Sequence, residues 1–168
     1  MFCKILWNKS NISDKVGVNV KKVIIIMMIC MMISSVSMAK TFSKDSAAIG
    51  GISAGAKAEY IKSIYGEPNK ILFNEEKTIE TWHYGDSFQI SMKSGEAASI
   101  ISSGNNGLTT PEGIGVGMKK RSMTSKYGKP QSKEKYGKRA IYMYELDNGT
   151  KMYFIVNNEI ITEMRLIK

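Results

Sequence analysis

A short segment of this chain occurs twice. Gly51-Ile52-Ser53-Ala54-Gly55 returns as Gly113-Ile114-Gly115-Val116-Gly117, and Tyr65-Gly66-Glu67-Pro68 returns as Tyr127-Gly128-Lys129-Pro130, both at an offset of 62. Over residues 51–68 that offset gives eight identities in eighteen positions, where average residue usage gives roughly one or two. A duplication constrains a fold strongly, because both copies are expected to take the same local path. Units of about 60 residues bury too little surface to be comfortably stable without disulfides or metal. The copies are therefore expected to pack together, for instance as one sheet continued across both.

In the first copy Ala54, Ala58, Ile61 and Tyr65 recur at helical spacing; in the second Val116, Met123 and Tyr127 keep the stripe, with Lys120 interrupting it. Gly66 and Gly128 offer a left-handed stop, and Pro68 and Pro130 lack the amide that a longer helix would use. Beyond each proline the pattern turns extended. Strands are expected at about 70–73, 78–84, 87–93 and 97–102, and at about 139–146, 150–156 and 160–166. Phe88, Ile90 and Met92 alternate with Ser87, Gln89 and Ser91, as a sheet with one buried face requires. Asn148-Gly149 is the strongest hairpin signal and Asn157-Asn158 a second. The expected class is α+β: two tandem helix-plus-antiparallel-meander repeats packed together, over residues 48–104 and 108–168. A flexible polar linker, Ser102 to Gly107, joins them, and residues 40–47 are expected to be disordered.

Upstream, Lys21-Lys22, the apolar run Val23 to Ile33, and Ser34-Ser35-Val36-Ser37-Met38-Ala39 have the three parts of a secretion signal in order. Eleven apolar residues fall well short of the roughly 20 of a permanent membrane helix. Residues 1–39 are thus expected to be a signal peptide cleaved after Ala39, with an uncleaved anchor as one alternative and a translation start downstream of Met1, at Val16 or Val20, as another. Both cysteines, Cys3 and Cys30, lie in that segment, so no disulfide framework is available to the exported part. The implied address is exported, periplasmic or extracellular, with membrane contact only through an uncleaved signal.

The arrangement Gly-Ile-x-x-Gly, helix, Tyr-Gly-x-Pro and strands resembles the small outer-membrane-assembly lipoproteins of the SmpA/OmlA (BamE) type. In tandem it is similar to the secreted β-lactamase inhibitor proteins of the BLIP type. The lipoproteins' anchoring cysteine has no counterpart here, so that resemblance does not carry membrane tethering with it. The second resemblance implies a concave sheet that presents aromatic side chains to a protein partner. Trp82, Tyr84, Tyr142 and Tyr144 are the positions it points to, Trp82 and Tyr144 again differing by 62. Such side chains bring large area with few rotatable bonds, although strand aromatics also commonly fill cores.

Charge marks the second half. Residues 40–107 carry net −1 and residues 108–168 net +6. Lys119, Lys120, Arg121, Lys126, Lys129 and Lys133 lead a run that would attract an anionic envelope surface or an acidic protein; a solvated helix face is the plain alternative. No base-reading motif accompanies it, so nucleic acid is not expected. Gly113, Gly115 and Gly117 lack the Gly-Lys-Ser/Thr of a phosphate loop. His83 is the only histidine, and with no cysteine or second histidine it completes no typical zinc site. No Gly-x-Ser-x-Gly elbow presents a serine. No cofactor, no metal and no enzymatic activity are expected. The function implied is an exported binding or assembly module of the cell envelope, engaging a protein or anionic partner. The alternative is a periplasmic or wall-associated hydrolase, or its subunit, built on His83.

Overall fold

The computed structural model describes residues 47–146 and 149–168; the expected signal, residues 40–46 and Asn148 lie outside them. The elements are β1 Ala48–Ile49, β2 Ile52–Ser53, α1 Ala58–Tyr65, β3 Lys70–Phe73, β4 Ile79–Tyr84, β5 Phe88–Lys93, β6 Glu96–Ser103, α2 Lys120–Tyr127, β7 Ser132–Tyr136, β8 Arg139–Glu145, β9 Lys151–Asn157 and β10 Ile160–Ile167. β1 and β2 form a small ribbon. The other eight strands make one sheet in the order β3-β4-β5-β6-β10-β9-β8-β7, antiparallel throughout.

This corrects the expected α+β class. Strand accounts for 49% of the structure and helix for 13%, so the protein is a mainly-β fold with two short helices, not a pair of packed helix-plus-meander repeats. The reason lies in the segments read as opening helical turns. The Gly55 amide donates to the Ala97 carbonyl at 2.7 Å, the Ala58 amide to Gly95 at 3.1 Å, and the Gly117 amide to Ile161 at 2.8 Å. Strand ends thus capture these amides, and Ala54 and Val116 precede the helices they were counted in. Each helix keeps eight residues, about 12 Å of length, too short to stand without tertiary packing. Gly66 and Gly128 stop them at φ +75° and +72°, their amides donating to Lys62 and Thr124.

Helices, ribbon and the loop through Ile114 and Val116 all cover one face of the sheet. Ile61, Met123 and Tyr127 from the helices meet Trp82, Phe88, Ile90, Ile100, Met164, Leu166, Phe154 and Tyr144 from the strands in one core. Two aromatic triads anchor it. Tyr65, Tyr84 and Phe88 have ring centroids 5.0–6.0 Å apart; Tyr127, Tyr144 and Phe154 lie 5.1–5.9 Å apart. Tyr84 Oη donates to the Gly66 carbonyl at 3.2 Å and Tyr144 Oη to that of Gly128 at 3.1 Å, tying each helix end to the sheet. Tyr144 therefore corresponds to Tyr84, not to Trp82 as the constant offset implies.

Two smaller expectations also change. Ala47, counted in the disordered stretch, is buried. The linker is a built turn: Asn106 accepts from Ser102 Oγ at 3.2 Å and from the Leu108 amide at 3.1 Å, and its Nδ2 donates to Ser87.

Candidate functional site

The strand registers fix what faces the side without helices. One row across the sheet runs Lys70, His83, Gln89, Ile101, Arg165, Tyr153, Met143, Ser132. The neighbouring row runs Ser103, Glu163, Ile155, Ile141, Glu134. This face changes character at the β6–β10 seam: mostly polar side chains on β4–β6, Ile101 apart, give way to aliphatic, tyrosine and arginine side chains on β8–β10. Ile155 is only 4% exposed yet lies outside the helix-covered core cluster.

A hollow of about 270 Å³ opens here, lined by Ile141, Tyr153, Ile155 and Ile167 with Glu134, Arg139 and Arg165. Arg165 is ion-paired to Glu163 on the same strand. Tyr136 Oη donates to Glu134 at 2.7 Å, and that bond holds the phenol above its ordinary pKa. Arg139 forms no ion pair among the described residues, so its guanidinium is available to an incoming acceptor. Tyrosine and arginine, which line this hollow beside its aliphatic floor, are side-chain types enriched at protein interfaces.

The four aromatics named from sequence are not on this face. Trp82 is 5% exposed, Tyr142 4% and Tyr144 1%, all on the helix side, and Tyr84 is half-buried within its triad. Burial pushes the Tyr144 and Tyr127 phenols up to about 12. A signal for this placement existed. Tyr84-Gly85-Asp86 pairs Tyr84 with Phe88 and Trp82 with Ile90, and residues paired across antiparallel strands share a face; Phe88 and Ile90 had already been assigned to the buried one. The same alternation hands Tyr153, Ile155, Arg139 and Arg165 to the open face; sequence reasoning counted Arg139 only as the end of the cationic run and passed over the other three.

The residues of the cationic run lie on and beside α2 and on β7. Lys119 caps α2 without a side-chain bond. Lys120 pairs with Glu159, which holds its ammonium above the ordinary range. Arg121 is exposed on the first turn, Lys126 lies in the last turn, and Lys129 follows the helix. Lys133 sits 5.4 Å over the Tyr142 ring on β7. His83 is flanked across the sheet by Lys70 and Gln89; its Nε2 is enclosed without a hydrogen-bond partner. Among the described residues no group of three or more His, Cys, Asp or Glu side chains is placed to hold a metal ion, and no helix is long and apolar enough to cross a membrane.

No protein-family profile matches the chain, and no curated protein matches it. Solved structures do. A cysteine-rich secretory protein from Staphylococcus aureus aligns with 68% of this chain and 43% of its own, at 10% identity and a TM-score of 0.52. An extracellular protein containing an SCP domain from Bacillus anthracis covers 68% and 44%, at 14% identity and a TM-score of 0.47. A candidate β-lactamase inhibitor protein from Streptococcus mutans covers 68% and 83%, at 15% identity and a TM-score of 0.29. The chain thus spans less than half the length of the first two, which are themselves described as secretory and extracellular. The likeness is one of fold.

Proposed function

We propose that this is an exported, non-enzymatic binding module of the cell envelope that engages a protein partner through the helix-free face of β8–β10. The observation that carries this reading is the hollow itself, in which Tyr153, Ile141 and Ile155 lie beside the unpaired guanidinium of Arg139. A sheet face that needs only to be soluble has no reason to leave Ile141 and Tyr153 part-exposed side by side, because apolar groups open to water cost solvation that binding recovers. The resemblance to small envelope-assembly and inhibitor proteins supports the same reading, as does the net +6 of residues 108–168, which would speed encounter with an acidic partner.

A photo-crosslinking amino acid at Tyr153, introduced into the full chain in its native cells, tests this. One discrete, saturable adduct is expected from Tyr153, none from the same probe at Ser91 on the polar half, and loss of the adduct when Arg139→Glu is added. An adduct equally strong from Ser91, or one indifferent to Arg139→Glu, sinks the reading.

A further inference from the structure

The two free edges of the sheet differ. β7 carries Lys133 and Lys135 around Glu134, charges of the kind that keep edge strands from pairing with other chains. β3 is Lys70-Ile71-Leu72-Phe73, exposed along its length, with Ile71 40%, Leu72 43% and Phe73 57% accessible. An apolar edge left open in this way is a template for another strand.

The geometry points to a second copy of this chain as its occupant: two molecules pair β3 with β3, antiparallel about a two-fold axis, with Ile71 opposite Phe73 and Leu72 opposite Leu72. This goes beyond the face-binding reading and uses none of its residues. The Asn74 amide donates to the Ile79 carbonyl at 3.1 Å, in the register that pairs Leu72 with Thr81 and Lys70 with His83. Main-chain groups along a strand point to alternate sides, so those of Lys70, Leu72 and Asn74 face β4 while those of Ile71 and Phe73 face outward. Centring the axis on Leu72 makes both outward residues hydrogen-bonded pairs, four main-chain bonds in all. Ile71 and Phe73 then meet on the helix side, where their neighbours across β4 are Trp82 and Glu80. Leu72 meets Leu72 on the other side, and Lys70 falls opposite Asn74, so no like charges are opposed. On β7 the same operation fails. A two-fold register centred on Lys133, Glu134 or Lys135 sets lysine against lysine every time. With one edge self-complementary and the other guarded, association closes at two molecules instead of growing into a filament.

The test uses the full chain. Sedimentation equilibrium is expected to show the mass rising with concentration from 18.7 kDa to twice that value and no further. Leu72→Lys, at an exposed position and checked for unchanged circular dichroism, should raise the dissociation constant at least about tenfold by opposing two charges, and Phe73→Lys should also raise it at least about tenfold, by replacing the apolar Ile71–Phe73 contact with a charge set against Ile71. In a background with Cys3→Ser and Cys30→Ser, Leu72→Cys should form a disulfide-linked dimer readily. Opposed residues of a non-hydrogen-bonded pair lie about 4.5 Å apart at Cα, within disulfide reach. Ile71→Cys alone and Lys135→Cys should link at least about tenfold less. A mass fixed at 18.7 kDa, association indifferent to Leu72→Lys and Phe73→Lys, or equal linkage at Lys135→Cys would each overturn the inference.

Discussion

The turn between β9 and β10 offers a substitution whose sign can be worked out in advance. Asn157 pairs with Ile160, leaving Asn158 and Glu159 as a two-residue loop with φ of +48° and +66°. Asparagine tolerates that region; glutamate does not, and a non-glycine residue there costs about 1–2 kcal/mol. Glycine relieves this strain but loses more backbone freedom on folding, about 0.5–1 kcal/mol. The other loss is the ion pair to Lys120, with Glu159 71% exposed; a pair this open to solvent is screened and contributes little. The Lys120 amide bond to the Glu159 carbonyl, at 2.7 Å, survives the change. Strain relief therefore wins narrowly, and Glu159→Gly is expected to stabilise the fold by about 0.5 kcal/mol at moderate salt. In urea unfolding followed by Trp82 fluorescence, the midpoint should rise without a change of slope, and rise further as salt screens the pair in the parent protein. Lys120→Ala measures the pair separately. A lowered midpoint at high salt would refute the assignment of strain to residue 159.

Gly50 stands at φ +59° with Tyr65 Oη and Leu108 where a Cβ would go, and its carbonyl accepts from Tyr65 Oη at 2.6 Å. Gly50→Ala should cost about 2–3 kcal/mol, backbone strain plus the displaced hydrogen bond, and in combination with Tyr65→Phe should cost less than the sum of the two alone when each is measured by denaturant unfolding. Burial raises Tyr127 and Tyr144 to about 12, above the roughly 10 of an unfolded tyrosine. Their neutral forms therefore support the fold fully below pH 10, and that support drains away as pH climbs from 10 through 12. Tyrosinate absorbance should show two late phenols, and their early titration in folded protein would contradict the burial.

Much of the strand layout was legible because turns and alternation are local. The expected strands fall within one residue of β3–β6 and β8–β10, and Phe88, Ile90 and Met92 are buried as their spacing required. The class was not legible. Helical stripes in residues 54–65 and 116–127 say nothing of strand ends that take the first amides, so two-turn helices were read as longer ones. β7 was invisible because Ser-Lys-Glu-Lys-Tyr is polar on both sides, as a guarded edge must be. The second hairpin was placed one residue early, at Asn157-Asn158, because asparagine was weighed above the less usual Glu159. Trp82, Tyr142 and Tyr144, named through the family resemblance, are buried; of the two readings weighed for strand aromatics, filling the core is the one that cross-strand pairing with Phe88 and Ile90 favours for Trp82 and Tyr84.

The strand that joins β6 to β9 is β10, so the middle of the sheet is supplied by residues 160–167. Before those residues leave the ribosome, β3–β6 and β7–β9 share no ladder, and a nascent chain is left with a three-strand fragment lacking its inner neighbour. Completion must wait for synthesis to reach this point, and contacts so distant in sequence form slowly. For a chain exported as proposed, such a delay keeps it threadable until the closing piece has been made.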